Sequence, residues 1–324
     1  MTTVTAEPQT ISDFIAIPLS TIIPSKSIGV SLYINQGGEG LKLYRGPDFP
    51  FCEEDLQHLV EKGVHQLYVP TDDQRQYQDY LRSNLPDVLN DESIPVQQRF
   101  KTLNEVVRDV LHGVFETGDI QKTVEETTEI GRYTVDLVCR KEFAAADLVD
   151  ILYHDFHTFT HSANVSYYAV VLAKSLGISD KGELNAIAVG ALLHDLGKLE
   201  IDESILTKPG KLDRDEFEII KQHPTTGFRK LCHRTDLSYG QLMMVYQHHE
   251  RMDGSGYPVG LVGSDMHEWA RLCAVVDVFE AMTSDRPYRQ GMKTSQALAI
   301  MERQPGREFD EEMYQCWKAT IKNG

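Results

Sequence analysis

The sequence predicts an α+β protein in which a small α+β module precedes an all-α helical bundle. Three observations lead there. Short β-type runs are confined to the stretch between Phe14 and Pro70. From Ala146 onward apolar residues recur at helical spacing and the strand pattern does not return. The length of 324 residues leaves room for two cores of ordinary size.

Residues 1–10 are polar and lack the basic-then-apolar pattern of a secretory signal. Phe14-Ile15-Ala16-Ile17 and Val30-Ser31-Leu32-Tyr33-Ile34 are strand-like, and Leu41-Lys42-Leu43-Tyr44 follows a glycine-rich link. That pairing predicts a hairpin with a longer loop. Residues 53–62 read as a helix stopped by Gly63, and residues 64–69 as another strand before Pro70. His58 and His65 stand alone in this module and fit solvated or structural roles. A polar helix is expected from Asp72 to Leu85, ending around Pro86. Pro95 opens another to about His112, and Asp119 to Lys141 forms a third. Its thin stripe of Val124, Thr128, Gly131, Val135 and Val138 suits packing on a neighbouring helix, while a homodimer seam stays open. The organisation expected is a regulatory module over 12–90, connecting helices over 91–145 and the bundle over 146–324.

In the bundle, His161, Val165, Tyr168 and Leu172 share one face of a helix ending at Gly177. Asn185 to Leu196 is almost wholly apolar, which predicts a buried central helix. Asp213 to Glu216 has capping-box spacing and starts a helix expected to run to His223, where Pro224 interrupts. Leu242 to His249 and Trp269 to Thr283 supply two more helices. Two short ones around Pro305-Gly306 close the chain.

The net charge of −17 disfavours non-specific binding to nucleic acid, so an anionic substrate would need a local cluster of Lys and Arg. The five cysteines form no C-x-x-C pair and read as reduced thiols. No apolar run approaches the ~20 residues that span a bilayer. A cytoplasmic protein without membrane insertion is expected.

Chemistry concentrates in three segments. His248-His249 end a helical pattern and run into a glycine-rich turn closed by Tyr257-Pro258. His194-Asp195 lie near the end of the central helix, and neighbours differ by about 100° around a helix, so both reach one centre only at its end. Gly197 is well placed to terminate the helix there. Asp277 sits among Ala274-Val275-Val276 and Val278-Phe279, where a bare carboxylate costs on the order of several kcal/mol unless paired or bound to metal. His161 and His223 taken singly suit a satisfied core histidine and a dipole-facing one. Together with His248-His249 they point to a buried metal centre.

Over residues 146–320 the chain resembles an HD-GYP domain, the subfamily of HD phosphohydrolases that hydrolyses cyclic di-GMP. The stretches that match are Thr160-His161-Ser162, His194 to Lys198, Lys208 to Leu212, His223-Pro224, His248 to Pro258 and Asp277 to Arg289. The resemblance implies one metal held by His161, His194, Asp195 and Asp277, and a second by His223, His248 and His249, with Asp195 bridging. Iron is the metal it implies, and the mixed imidazole and carboxylate set also suits manganese or another transition metal. Lys198 resembles the lysine that contacts the scissile phosphate, Arg286 and Arg289 a guanidinium clamp, and Tyr257 part of the guanine-side loop. Three departures stand out. His157 occupies the place of a glutamate found in three-metal members, which predicts two ions here. Thr160 replaces the usual glycine, and Glu280 replaces a common aspartate and keeps its charge.

The implied activity is metal-dependent hydrolysis of cyclic di-GMP to pGpG, with GMP as a further product. The alternative is a cyclic di-GMP receptor or adaptor that signals through protein partners without turnover. A phosphohydrolase for another nucleotide is disfavoured by Tyr257 and the arginine pair.

Overall fold

The structure, a computed structural model, describes residues 13–35, 40–140, 148, 152, 158–285, 289–303 and 307–323. The chain divides into two compact units, Met1–Val106 and Val107–Gly324.

The first unit is built on four antiparallel strands, β1 (Phe14–Pro18), β2 (Leu32–Asn35), β3 (Leu41–Arg45) and β4 (Gln66–Pro70), in the order β1-β4-β2-β3. β2 and β3 form the expected hairpin, with a register irregularity between Leu32 and Tyr33. Ile17, Leu67 and Val69 are buried on one face of the sheet, Phe14 is buried on the other against Tyr33, and Leu32 is buried beside the irregularity in β2. Pro18 and Pro70 fall at strand ends, where a missing N–H costs no interior ladder bond. Helices α1 (Glu53–Glu61) and α2 (Gln74–Asn90) accompany the sheet. α2 corrects the expected stop at Pro86, which lies inside the helix. Leu81, Leu85, Val88 and Leu89 are buried at helical spacing around the proline, and this packing outweighs the lost backbone bond.

α3 (Val96–Thr117) leads to the second unit, where α4 (Ile120–Val138) is capped by Asp119, which accepts from the Lys122 N–H at 3.0 Å. The stripe on α4 is used within the chain. A side chain at Gly131 would strike Asn185 and Val189 of the next-but-one helix. That helix, α6 (Lys181–Leu193), and α5 (Thr158–Ser175) form the buried centre. α6 begins earlier than its apolar run, because Asp180 caps it through the Glu183 N–H at 2.8 Å. Val124, Val189, Leu193, Leu196, Leu231, Leu237 and Val245 make one apolar cluster that ties α4 and α6 to the segments carrying Leu231, Leu237 and Val245.

The remaining helices are α7 (Glu203–Leu206), α8 (Arg214–Ile220), α9 (His223–Leu231), α10 (Tyr239–Gln247), α11 (Glu268–Thr283), α12 (Thr294–Met301) and α13 (Glu311–Asn323). The helix begun at Asp213 does not run to His223. α8 stops at Ile220, and His223 opens α9 with Pro224 in its first turn, where proline needs no N–H partner. Trp317 of α13 packs edge-on against Tyr168 of α5 and Phe279 of α11, with centroids 5.2 and 5.1 Å away, and so holds those two helices in place. Among the described residues no helix is long and apolar enough to cross a membrane.

Gly197 acts differently from the expected helix terminator. α6 already ends at Leu193, and Gly197 lies in a tight turn, Leu196–Glu200, pressed against α9. A Cβ there would sit 1.9 Å from the His223 carbonyl oxygen and 2.7 Å from the Gly227 nitrogen. The glycine therefore lets two site-bearing segments touch. Gly197→Ala should destabilise the protein by about 1–3 kcal/mol, the usual penalty for overpacking. Chemical denaturation measures it, and an unchanged midpoint would show that this contact is loose.

Candidate metal centre

Seven side chains named from the sequence converge in the second unit. His161 projects from α5, His194 caps α6 and Asp195 follows it. His223 opens α9, His248 caps α10 with His249 next, and Asp277 comes from the middle of α11. Ligand atoms of Asp195, His223, His248 and His249 lie within 4.8 Å of one another, as do those of His161, His194 and Asp195. Asp195 is common to both groups. Apart from His249, these residues are buried.

Backbone carbonyls set the orientation of three imidazoles. Nδ1 of His194 meets the Ala191 oxygen at 2.6 Å, that of His223 the Ile220 oxygen at 2.7 Å, and that of His248 the Met244 oxygen at 3.0 Å. A carbonyl only accepts, so each Nδ1 carries the proton and each Nε2 keeps its lone pair. Those lone pairs point inward. His223 Nε2 and His248 Nε2 are 3.1 Å apart, and Asp195 Oδ1 is 3.2 Å from the first and 3.8 Å from the second. His194 Nε2 and Asp195 Oδ1 are buried without a hydrogen-bond partner among the described residues. Acceptors facing acceptors repel, and a cation between them removes the conflict. The donor set fits a metal that takes both imidazole and carboxylate.

Electrostatics agrees. Burial holds His248 far below the ordinary histidine range, helped by the neighbouring imidazoles, and burial also lowers His249. Both are held neutral, the state that a metal would require of them. Asp195 and Asp277 stay ionised: burial opposes this, but Lys198 and His194 around the first, and His161 around the second, hold both pKa values down. His161 is the exception: burial pulls it down, but Glu280 and Asp277 outweigh that and raise it to about 9. Its Nε2 faces Asp277 Oδ1 at 3.1 Å and Asp195 Oδ2 at 3.4 Å. The carboxylates that favour a proton on that nitrogen equally favour a metal cation there.

Glu280 does more than keep a motif's charge. It is buried, and its Oε2 lies 2.5 Å from His161 Nδ1 while Oε1 accepts from Asn164 at 3.0 Å and Ser284 at 2.6 Å. A carboxylate on the far ring nitrogen orients a ligating histidine. Its spacing from Asp277, i to i+3 on a buried helix, is the signal in the sequence that points to this role. Glu250 is a second such residue. Its buried carboxylate accepts from the Val259, Gly260 and Leu261 N–H groups at 2.7–3.1 Å and so folds the Asp253–Val262 loop. Gly256 turns so tightly over this anchor that a Cβ would lie 2.4 Å from the Arg251 nitrogen. The loop thereby sets the Tyr257 ring 4.7 Å from that of His249.

Lys198 Nζ pairs with Asp195 Oδ2 at 2.5 Å from the edge of the centre. Arg289 donates through Nη2 to the Ala281 carbonyl at 2.7 Å, which ties it to the end of α11. Arg286 and His157 lie outside the described residues.

The family model described as "HD domain" matches residues 148–313, about half of the chain. A cyclic di-GMP phosphodiesterase response regulator, RpfG of Xanthomonas campestris, is 43% identical over 49% of this chain and 42% of its own length. A 3'3'-cGAMP-specific phosphodiesterase of Vibrio cholerae is 34% identical over 51% of this chain and 35% of its own. The chain thus spans less than half the length of these relatives. Among solved structures, Bd1817, an HDG"Y"P protein from Bdellovibrio bacteriovorus, shares the fold with a TM-score of 0.66 at 22% identity, covering 96% of this chain and 100% of that one. With its HD pair shared by two convergent His/Asp groups, this chain belongs to the HD domain family, and its motifs resemble those of the HD-GYP subfamily.

Proposed function

We propose that this chain hydrolyses a phosphodiester bond of cyclic di-GMP to give pGpG, and onward to GMP, at the His/Asp centre. One observation carries the reading: two groups of converging imidazole and carboxylate side chains, buried except for His249, share Asp195. RpfG's name supplies the substrate, and the cGAMP-specific relative makes 3'3'-cGAMP the substrate to compare.

His161, His194, Asp195 and Asp277 would hold one divalent cation and His223, His248 and His249 the other, with Asp195 serving both. Iron is the first choice, and manganese fits the same donors. Bound cations there supply positive charge for a phosphoryl oxygen and acidify an attacking water. The protein's own groups do the rest. The carbonyl contacts of Nδ1 keep the His194, His223 and His248 lone pairs aimed without reorganisation. Lys198 brings its ammonium to the same edge as Asp195 Oδ2, where a phosphate oxygen would take over that charge. Arg286 and Arg289 complete the clamp; with Nη2 on Ala281, Arg289 would use its remaining N–H groups. The Tyr257 loop, folded on Glu250, borders the base. Residues 12–90 serve as a regulatory module, through which protein partners would act.

Turnover by the wild type separates this from a receptor that binds without turnover, and two substitutions test the centre itself. Asp195→Ala should abolish hydrolysis and lower the metal content, since one carboxylate serves both cations; chromatography of products and elemental analysis read this out. Near-normal activity with full metal would remove the shared carboxylate, and wild-type binding of cyclic di-GMP without product would favour the receptor. Glu280→Gln should weaken metal binding roughly 10- to 100-fold by loosening His161. Titration with manganese measures it, and an unchanged affinity would make Glu280 a packing residue only.

A further inference from the structure

The aromatic rings beside the centre form a path that leads out of it. The His249 ring lies 4.7 Å from Tyr257, tilted by 33°, and the Tyr257 ring meets Phe217 edge-on at 6.5 Å. Phe217 belongs to α8 and is 46% exposed. We propose that Phe217 is the stacking wall for one purine base of the dinucleotide, an inference that rests on the phosphodiesterase reading and names a further contact for its substrate.

A single exposed apolar residue needs no explanation. Phe217 differs because its position is held. The Asp213–Glu216 capping box fixes the start of α8, and Lys208 donates to both Glu216 oxygens at 2.6 Å. Lys221 Nζ sits 5.4 Å from the Phe217 centroid and pairs with Glu218 at 2.6 Å, so one face of the ring is steadied by a cation. The exposure of the residue leaves ring surface to a ligand.

The place suits a base. In a cyclic dinucleotide the purine hangs one ribose away from the phosphate. With the phosphate at the cluster, the next surface outward is Tyr257 and then Phe217. Stacking uses an aromatic face and needs no hydrogen-bond donor, and Phe217 offers only that. A protein partner is the rival occupant, but Ile219, the other exposed apolar residue of α8, points about 200° away around the helix and does not extend the patch.

The test uses the full chain loaded with manganese, as wild type, Phe217→Leu and Phe217→Trp. Leucine keeps apolar bulk without a π-face. It should raise KM for cyclic di-GMP about tenfold, within the range of a lost base stack. Its metal content and its inhibition by inorganic phosphate should stay at wild-type values. Tryptophan should restore KM, and its added fluorescence should be quenched by the dinucleotide. An unchanged KM in Phe217→Leu, or an equal weakening of phosphate and dinucleotide, would overturn the stacking wall while the phosphodiesterase reading stands. A wild type that neither binds nor cleaves cyclic di-GMP would overturn both.

Discussion

Three imidazoles, of His194, His223 and His248, bury their lone pairs against one another and against Asp195, and the bundle is organised to hold that unfavourable arrangement. The 3.1 Å approach of His223 Nε2 to His248 Nε2 is the sharpest instance. With both Nδ1 protons committed to carbonyls, neither Nε2 has a proton to offer the other. Repulsion of this kind persists only when the surrounding structure over-determines it, and such strain clusters at functional sites. A cation turns the same geometry from cost to gain.

The scaffold supplies that over-determination in layers. Helix ends carry the candidate ligands: His194 and His248 cap α6 and α10, and His223 opens α9. Helix ends also have carbonyls near at hand, which is how one fold orients three histidines in the same way. Gly197 lets the segment after α6 meet α9 without a side chain between them. Glu280 and Glu250, both buried, stand one layer behind, the first on His161 and the second under the Tyr257 loop. Trp317, Tyr168 and Phe279 lock the helices that carry His161 and Asp277.

Much of this is legible in the sequence. The small sheet follows from alternating short runs, and the bundle from apolar helical periodicity. The candidate ligands stand out because an aspartate among valines and two adjacent histidines have few inexpensive explanations. Local rules mislead where tertiary packing overrides them. Pro86 signals a stop, yet Leu85, Val88 and Leu89 bury the helix through it. Pro224 signals the end of a helix at His223, although proline is equally a helix starter. Gly197 looks like a cap because a glycine's need for space is invisible until its neighbour is known. Glu280 looks like a charge retained within a motif, whereas its work lies in a contact with His161, 119 positions away in sequence.

The central claim is that the two lone-pair groups are cation sites joined through Asp195. Anomalous diffraction from crystals of the manganese-loaded protein tests it most directly. The account predicts two peaks, one amid His161, His194 and Asp277 and the other amid His223, His248 and His249, with Asp195 contacting both. A single peak, or two that leave Asp195 unliganded, would contradict it.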